Sequence, residues 1–300
     1  MAIYLHTNSD GSKSEGAINS GMKEGIGAIA KYQLMLYAIC KKFNLEFYNS
    51  GFVNIGHSTY TDFDEESWSD QFTRFFNFST NKVIEKQIFF SDINQEFLTF
   101  IEENKNSLDD ILIYIEPESI LRYGQSIINE IYQNKYLIDL KHNFIFGKSY
   151  FSTDCLNISF HIRNINPEDN SLQDFRELYN KDNSNYINLI QQLKKVCLNE
   201  KVNLHIHSQG NQEDFEELLN YREDNFEIIL HLNDNPISDI YHMSHADLLI
   251  MAYSAFSWIA HLLNYNVTIL RDSFCHSTYS NTLKLDRNYF FNTNRLKIKN

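Results

Sequence analysis

Proline occurs only three times in the 300 residues and glycine only ten, which excludes collagen-like and linker-rich architectures. Positive charge is also scarce. Lys and Arg number 26 against 39 Asp and Glu, a formal net charge of -13. A surface of that sign repels a polyphosphate backbone, so a dedicated nucleic-acid binder is not expected. One small phosphate ligand remains compatible, because a single Arg or a helix N-terminus creates a local positive site. Cysteine is sparse and scattered: Cys40, Cys155, Cys197 and Cys275 form no C-x-x-C pair. Structural zinc sites present ligands in close pairs, so none is expected, and the thiols read as reduced in a cytoplasmic protein. Nowhere do about 18 apolar residues run together, so no membrane span is expected, while peripheral membrane contact stays open. The opening MAIYLHTNSDG has no basic stretch followed by an apolar core, so a signal peptide is not expected.

What is present is a 43% hydrophobic composition, enough to build proper cores. Short apolar runs alternate with longer periodic segments, the βαβα rhythm of an α/β protein. Strands are predicted at Ala2–His6, Leu45–Tyr48, Lys86–Phe90, Ile111–Ile115, Asn157–Arg163, Val202–His207, Phe226–His231, Asp247–Met251 and Val267–Leu270. Helices are predicted at 25–43, 64–77, 93–104, 118–134, 182–199, 211–221, 236–244 and 255–264. A polar, punctuated stretch at Lys141–Asp154 suggests a boundary between an N-terminal domain, 1–148, and a C-terminal domain, 149–300. Two Rossmann-like halves facing a cleft are the expected architecture, with ligands beyond the C-terminal ends of strands.

Five segments carry candidate chemistry. Gly21-Met-Lys-Glu-Gly25-Ile-Gly27 leads into the first long helix, and reads either as a turn or as a loop whose backbone meets an anion. It is neither G-x-G-x-x-G nor a Walker loop. His161-Ile-Arg163 ends an apolar strand, where alternation puts both side chains on one side. Arg163 is placed either for an ion pair or for bidentate binding of phosphate. Leu204-His205-Ile-His207-Ser208-Gln209-Gly210 has the same strand-to-turn form. Here His205 and His207 are spaced as a metal pair without an obvious third ligand, and His207, Ser208 and Gln209 suit nucleotide contact or simple turn chemistry. Ser254 sits where an N-cap belongs, ahead of Phe256, Ser257 and Trp258. Asp62-Phe-Asp64 matches the D-x-D pattern of metal-using sugar-nucleotide enzymes, but it lacks a preceding apolar strand and reads better as an acidic helix start.

Taken together, Gly25-Ile-Gly27-Ala-Ile-Ala-Lys-Tyr-Gln33, His161-Ile-Arg163, Tyr241-His-Met-Ser-His-Ala-Asp247 and Ser254-Ala-Phe256-Ser257-Trp258 resemble the fucosyltransferase-like GT-B glycosyltransferases, the α-1,2- and protein O-fucosyltransferase relatives. The resemblance implies inverting transfer from a nucleoside-diphosphate sugar, GDP-fucose favoured, to a glycan acceptor without cofactor or obligatory metal. It implies Arg163, with His161 beside it, as the catalytic pair on the diphosphate. Ser254, Phe256 and Ser257 would surround the nucleotide's phosphate and ribose, and Gly25 and Gly27 would face the diphosphate from the other domain. The chain departs from the pattern after Arg163, where Asn164-Ile-Asn166 replaces the usual Arg-Gly-Asp. Glu24 and His57 are candidates for the base that takes the acceptor's proton.

Overall fold

The apolar runs become strands of two parallel sheets. The computed structural model describes residues 2–7, 26–49, 52, 65–78, 83–144, 146–164, 183–271, 281–286 and 289–293. The chain divides into two units, Met1–Phe146 with His276–Tyr279, and Gly147–Cys275 with Ser280–Asn300.

In the first unit the order is β1 (Ile3–His6), α1 (Ile26–Phe43), β2 (Glu46–Phe47), α2 (Glu65–Phe75), β3 (Lys86–Phe90), α3 (Gln95–Asn104), β4 (Ile111–Ile115), α4 (Pro117–Ser126), α5 (Ile128–Gln133) and α6 (Ile138–His142). Its sheet runs β2-β1-β4-β3, every pair parallel. The central strands β1 and β4 are buried almost throughout, which is why they read as unbroken apolar runs. Helix α1 buries Leu34, Met35, Leu36 and Ile39 completely. Gly124 of α4 permits close approach there: a Cβ on it would stand 2.6 Å from the Met35 sulfur. A stack of Phe52, Phe76 and Phe78 closes another side of the core, with ring centroids 5.4–6.2 Å apart.

The second unit contains β5 (Leu156–His161), α7 (Ser184–Val196), β6 (Val202–Ser208), a 3-10 turn (Gln212–Phe215) running into α8 (Glu216–Leu219), β7 (Phe226–Leu232), α9 (Pro236–His245), β8 (Leu248–Ile250), α10 (Ala255–Leu263), β9 (Val267–Arg271) and β10 (Thr282–Leu285). Its sheet order is β10-β9-β8-β5-β6-β7, all parallel. Counted from β5, that is the doubly wound order 3-2-1-4-5-6 read from the β7 edge. The chain winds outward from β5 to β7, returns through α9, and winds outward again from β8.

Alternation along the strands gives this sheet two unlike faces. Ile158, Phe160, Leu204, Ile206 and Ile228 point into an apolar cluster with Ile187, Ile190 and Leu193 of α7. The opposite face carries Ser159, His161, His205, His207 and His231, and α9 covers it through Asp239, whose carboxylate lies 2.7 Å from His207 Nδ1. Asn264, fully buried, donates from Nδ2 to the carbonyls of Met243 and Ala246 at 2.9 and 3.0 Å, tying the end of α10 to the end of α9.

Three differences from the sequence expectation have local causes. The single helix expected over 118–134 is broken at Ile127 (φ -109, ψ 16), whose N–H turns back to carbonyls of the last turn of α4. The helix expected over 211–221 is a 3-10 turn and one helical turn, started by a capping box in which Asn211 and Asp214 exchange side-chain bonds with backbone. Strand β10 was not expected, since only Leu283 and Leu285 of its four residues are buried.

Candidate functional site

Strand order reverses between β5 and β8, so the loops leaving them diverge and open a hollow at their C-terminal ends. The β5 backbone stays in line one residue past the strand, because Ile162 N–H donates to the His207 carbonyl at 3.0 Å. Arg163 follows, half-buried. It lines the hollow with His161, Ala252, Tyr253, Tyr186 and Tyr289. The sequence thus delivers its planar cation to the switch point of the sheet, as its strand-end position predicts.

Across from it, the chain leaves β8 through Ala252 and Tyr253 and enters α10. Ser254 adopts extended angles (φ -151, ψ 135) and its Oγ accepts from the Phe256 N–H at 3.2 Å, the N-cap that the sequence predicts. Ser257 is buried one residue further on, its hydroxyl directed at the carbonyls of Ala252 (3.3 Å) and Ser254 (3.4 Å). A nine-residue helix therefore begins beside the hollow, with the positive end of its dipole at Ser254.

His161 joins the two sides. It is 8% exposed, and its ring packs on Phe256 with centroids 5.5 Å apart. Burial pushes its pKa down to about 3, helped by the neighbouring His207 and by the Arg163 guanidinium. The imidazole is neutral near pH 7, and its Nδ1 is buried without a hydrogen-bond partner among the described residues. A neutral ring can orient a ligand through one hydrogen bond, but it is a poor proton acceptor at that pKa.

The second strand-to-turn segment behaves differently. His207 is fully buried, with Nδ1 2.7 Å from Asp239 and Nε2 3.3 Å from the Ser159 hydroxyl. Ser208 is 7% exposed and donates its hydroxyl to the Ile162 carbonyl at 2.7 Å. Of the three residues read as nucleotide contacts, His207 and Ser208 are thus engaged inside the fold, and only Gln209 is exposed. The turn itself is held by Gly210 (φ 123), where a Cβ would meet Asn164 at 2.7 Å and Asp214 at 2.8 Å. Asn164 and Asn233 bond to this turn, at the Gln209 carbonyl and at both backbone groups of Gly210, and so lace the ends of β5, β6 and β7 together.

No family model matches the chain, and no curated protein matches it. Among solved structures, the R284K mutant of Arabidopsis thaliana FUT1 in complex with GDP aligns at 12% identity over 94% of this chain and 72% of that one, with a TM-score of 0.40. POFUT1 in complex with GDP aligns at 12% identity over 90% of this chain and 98% of its own, with a TM-score of 0.42. POFUT1 in complex with GDP-fucose aligns at 12% identity over 93% and 97%, with a TM-score of 0.41. Both proteins are fucosyltransferases. At 12% identity, residue roles have to come from this chain's own geometry.

Of the N-terminal glycines, Gly27 lies buried in the first turn of α1, and Gly25 is outside the described residues. Asp62, Asp64, Glu24 and His57 are outside them too. Among the described residues no group of three or more His, Cys, Asp or Glu side chains is arranged to hold a metal ion, and no helix is long and apolar enough to cross a membrane.

Sequence patterns gave no hint of the polar layer under α9. His205 Nδ1 lies 3.0 Å from His231 Nε2, and His231 Nδ1 lies 3.3 Å from Asp234. Tyr150 stacks on His242 (centroids 3.3 Å) and on His231 (4.2 Å), and its own N–H donates to His242 Nε2. Ser159, His207 and Asp239 fall in the order of a hydrolytic triad, but Ser159 is 0% exposed in the middle of β5 and meets no substrate. His205 and His242 are both pushed down to about 3, chiefly by burial, so these two imidazoles are neutral near pH 7.

Proposed function

We propose that the chain is a nucleotide-sugar-dependent glycosyltransferase whose donor diphosphate lies between Arg163 and the N-terminus of α10. One observation carries this reading: in a sheet of doubly wound order, a guanidinium and a serine-capped helix start approach one hollow at the switch point. The motif resemblance adds inverting chemistry with GDP-fucose as favoured donor and a glycan as acceptor. In that reaction the acceptor oxygen bonds to the anomeric carbon as the carbon–oxygen bond to the diphosphate breaks. The electron pair leaves with the diphosphate, and the acceptor's proton passes to a base. Arg163 and the helix dipole stabilise the charge that develops on the leaving group, which is what a metal ion does in metal-dependent relatives of this chemistry. His161 orients from the β5 side, while Phe256 and Ser257 shape the α10 side. Gln209 is a further donor contact, with His207 and Ser208 supporting it from within the fold. Action in the cytoplasm is part of the proposal, on the scattered cysteines of the sequence.

A thermal-shift screen with GDP, UDP, ADP and CMP tests the reading, because a ligand that binds only the native state raises the melting temperature. A selective rise with one nucleoside diphosphate, lost in Arg163→Ala, is expected. No rise with any of them refutes it. Tight binding without turnover on any glycan, in buffer with EDTA or with manganese, favours a binding protein that keeps the site without the chemistry.

A further inference from the structure

The hollow has one wall that the diphosphate reading does not use. Tyr186, near the start of α7, and Tyr289, just beyond β10, meet edge to face with centroids 5.6 Å apart, and Tyr186 meets Phe160 in the same manner at 5.5 Å. Both tyrosines are half-buried and line the hollow with Arg163 and Leu285.

Tyr289 is held there against its backbone preference. Its φ of 60 puts a bulky residue in the left-handed region, a conformation that such residues rarely adopt. The bonds that hold it converge from two sides. Asp286 closes the turn: its carbonyl accepts from Tyr289 N–H at 3.1 Å and its carboxylate from Phe290 N–H at 2.9 Å. Gln192 of α7, 8% exposed, donates from Nε2 to the Tyr289 carbonyl at 2.9 Å and accepts from Phe291 N–H at Oε1 at 3.2 Å. A buried amide with both ends on the backbone flanking one strained tyrosine is a positioning device.

Resting on the diphosphate reading above, we propose that the Tyr186–Tyr289 wall is the platform on which the donor's nucleobase stacks, with Gln192 as the residue that positions it. A nucleoside-diphosphate sugar has two ends to place beyond its phosphates. A sugar presents hydroxyls on most sides and needs several polar partners. The side of the hollow next to this wall offers phenol rings and the apolar flanks of Phe160, Ile162 and Leu285. A flat π-face suits that surface, and aromatic stacking accepts any base without reading its edge.

Replacing Tyr289 by glycine removes the ring while easing the left-handed turn, so the variant keeps the turn that an alanine would strain. Calorimetry with GDP and with inorganic pyrophosphate separates the possibilities. Tyr289→Gly is expected to weaken GDP about 10- to 100-fold and to leave pyrophosphate unchanged, with Tyr289→Phe close to wild type. Gln192→Leu is expected to show the same split, whereas a merely structural role moves both ligands together or neither. If Arg163→Ala weakens both ligands but Tyr289→Gly weakens neither, the base does not stack here, although the diphosphate reading survives. If Tyr289→Gly spares GDP but raises the KM of the intact GDP-sugar, the wall holds the sugar and the proposal is overturned. If Arg163→Ala leaves both ligands unaffected, or wild type binds neither, the diphosphate reading falls and takes this one with it.

Discussion

Acid should destabilise the second unit well above the pH at which carboxylates titrate. His161, His205, His242 and His261 are 8%, 1%, 0% and 0% exposed, and burial holds each near a pKa of about 3, against 6.5 for an ordinary imidazole. In the unfolded chain each takes up a proton as pH falls through 6.5, and in the native fold none does until about 3. The unfolded state therefore binds more protons across that window, so stability is fully present above 6.5 and is lost as pH falls. Between pH 7 and 5.5 the linkage relation gives about 1.2 kcal/mol per imidazole, or about 5 kcal/mol for the four. That figure needs only a native pKa well below 5.5, and it equals much of a typical domain's stability. His231, whose pKa is also lowered, adds to it. The sequence has two tryptophans, so a Trp68→Phe protein leaves Trp258, buried in α10, as the reporter of this unit. Urea titrations of that protein at pH 7.0, 6.5, 6.0 and 5.5 should show the unfolding free energy falling ever more steeply. His261→Leu should remove about a quarter of the slope. A free energy that changes by less than about 1 kcal/mol over this range would show that the imidazoles are charged or solvated in the native state.

Three further outcomes follow from the site. Arg163→Ala should abolish transfer with little change in melting temperature, and Arg163→Lys should also fail because a planar fork becomes a point charge; wild-type kinetics in Arg163→Ala would remove it from the site. Ser254→Ala should cost ~1 kcal/mol of stability as a lost cap and ~1.5–3 kcal/mol of donor affinity as a lost bond to a charged group. Calorimetry at 15 °C, where both proteins are folded, reads only the second, and unchanged affinity would make Ser254 a cap alone. Gly210→Ala puts a Cβ against Asn164 and Asp214 at a φ of 123, and should lower stability by ~1–3 kcal/mol in the same urea assay; a neutral result would show that the turn relaxes freely.

The parts of this unit legible in the sequence are those whose cause lies within a few residues. Strands β5 and β6 were legible because apolar and polar residues alternate along each, Ile158 and Phe160 in β5 and Val202, Leu204 and Ile206 in β6 recurring at the period of a strand. The cap at Ser254 and the strand-end Arg163 were legible because each depends on its own junction. His205 and His207 were correctly placed on one face by the period of two, yet their environment was not deducible from it. Register sets His207 opposite both His161 and His231, residues 46 before and 24 after it, and no local pattern encodes those intervals. Asp239 then arrives from α9 and Tyr150 from the segment before β5, so the layer becomes a buried network only when five separate stretches converge. The same holds for the tyrosine wall, where Gln192 on α7 fixes a turn 97 residues away. A glutamine amid the apolar positions of α7 reads from sequence as an ordinary exposed residue of an amphipathic helix. Only its 8% exposure shows that the helix gives up one core position to hold Tyr289 in place.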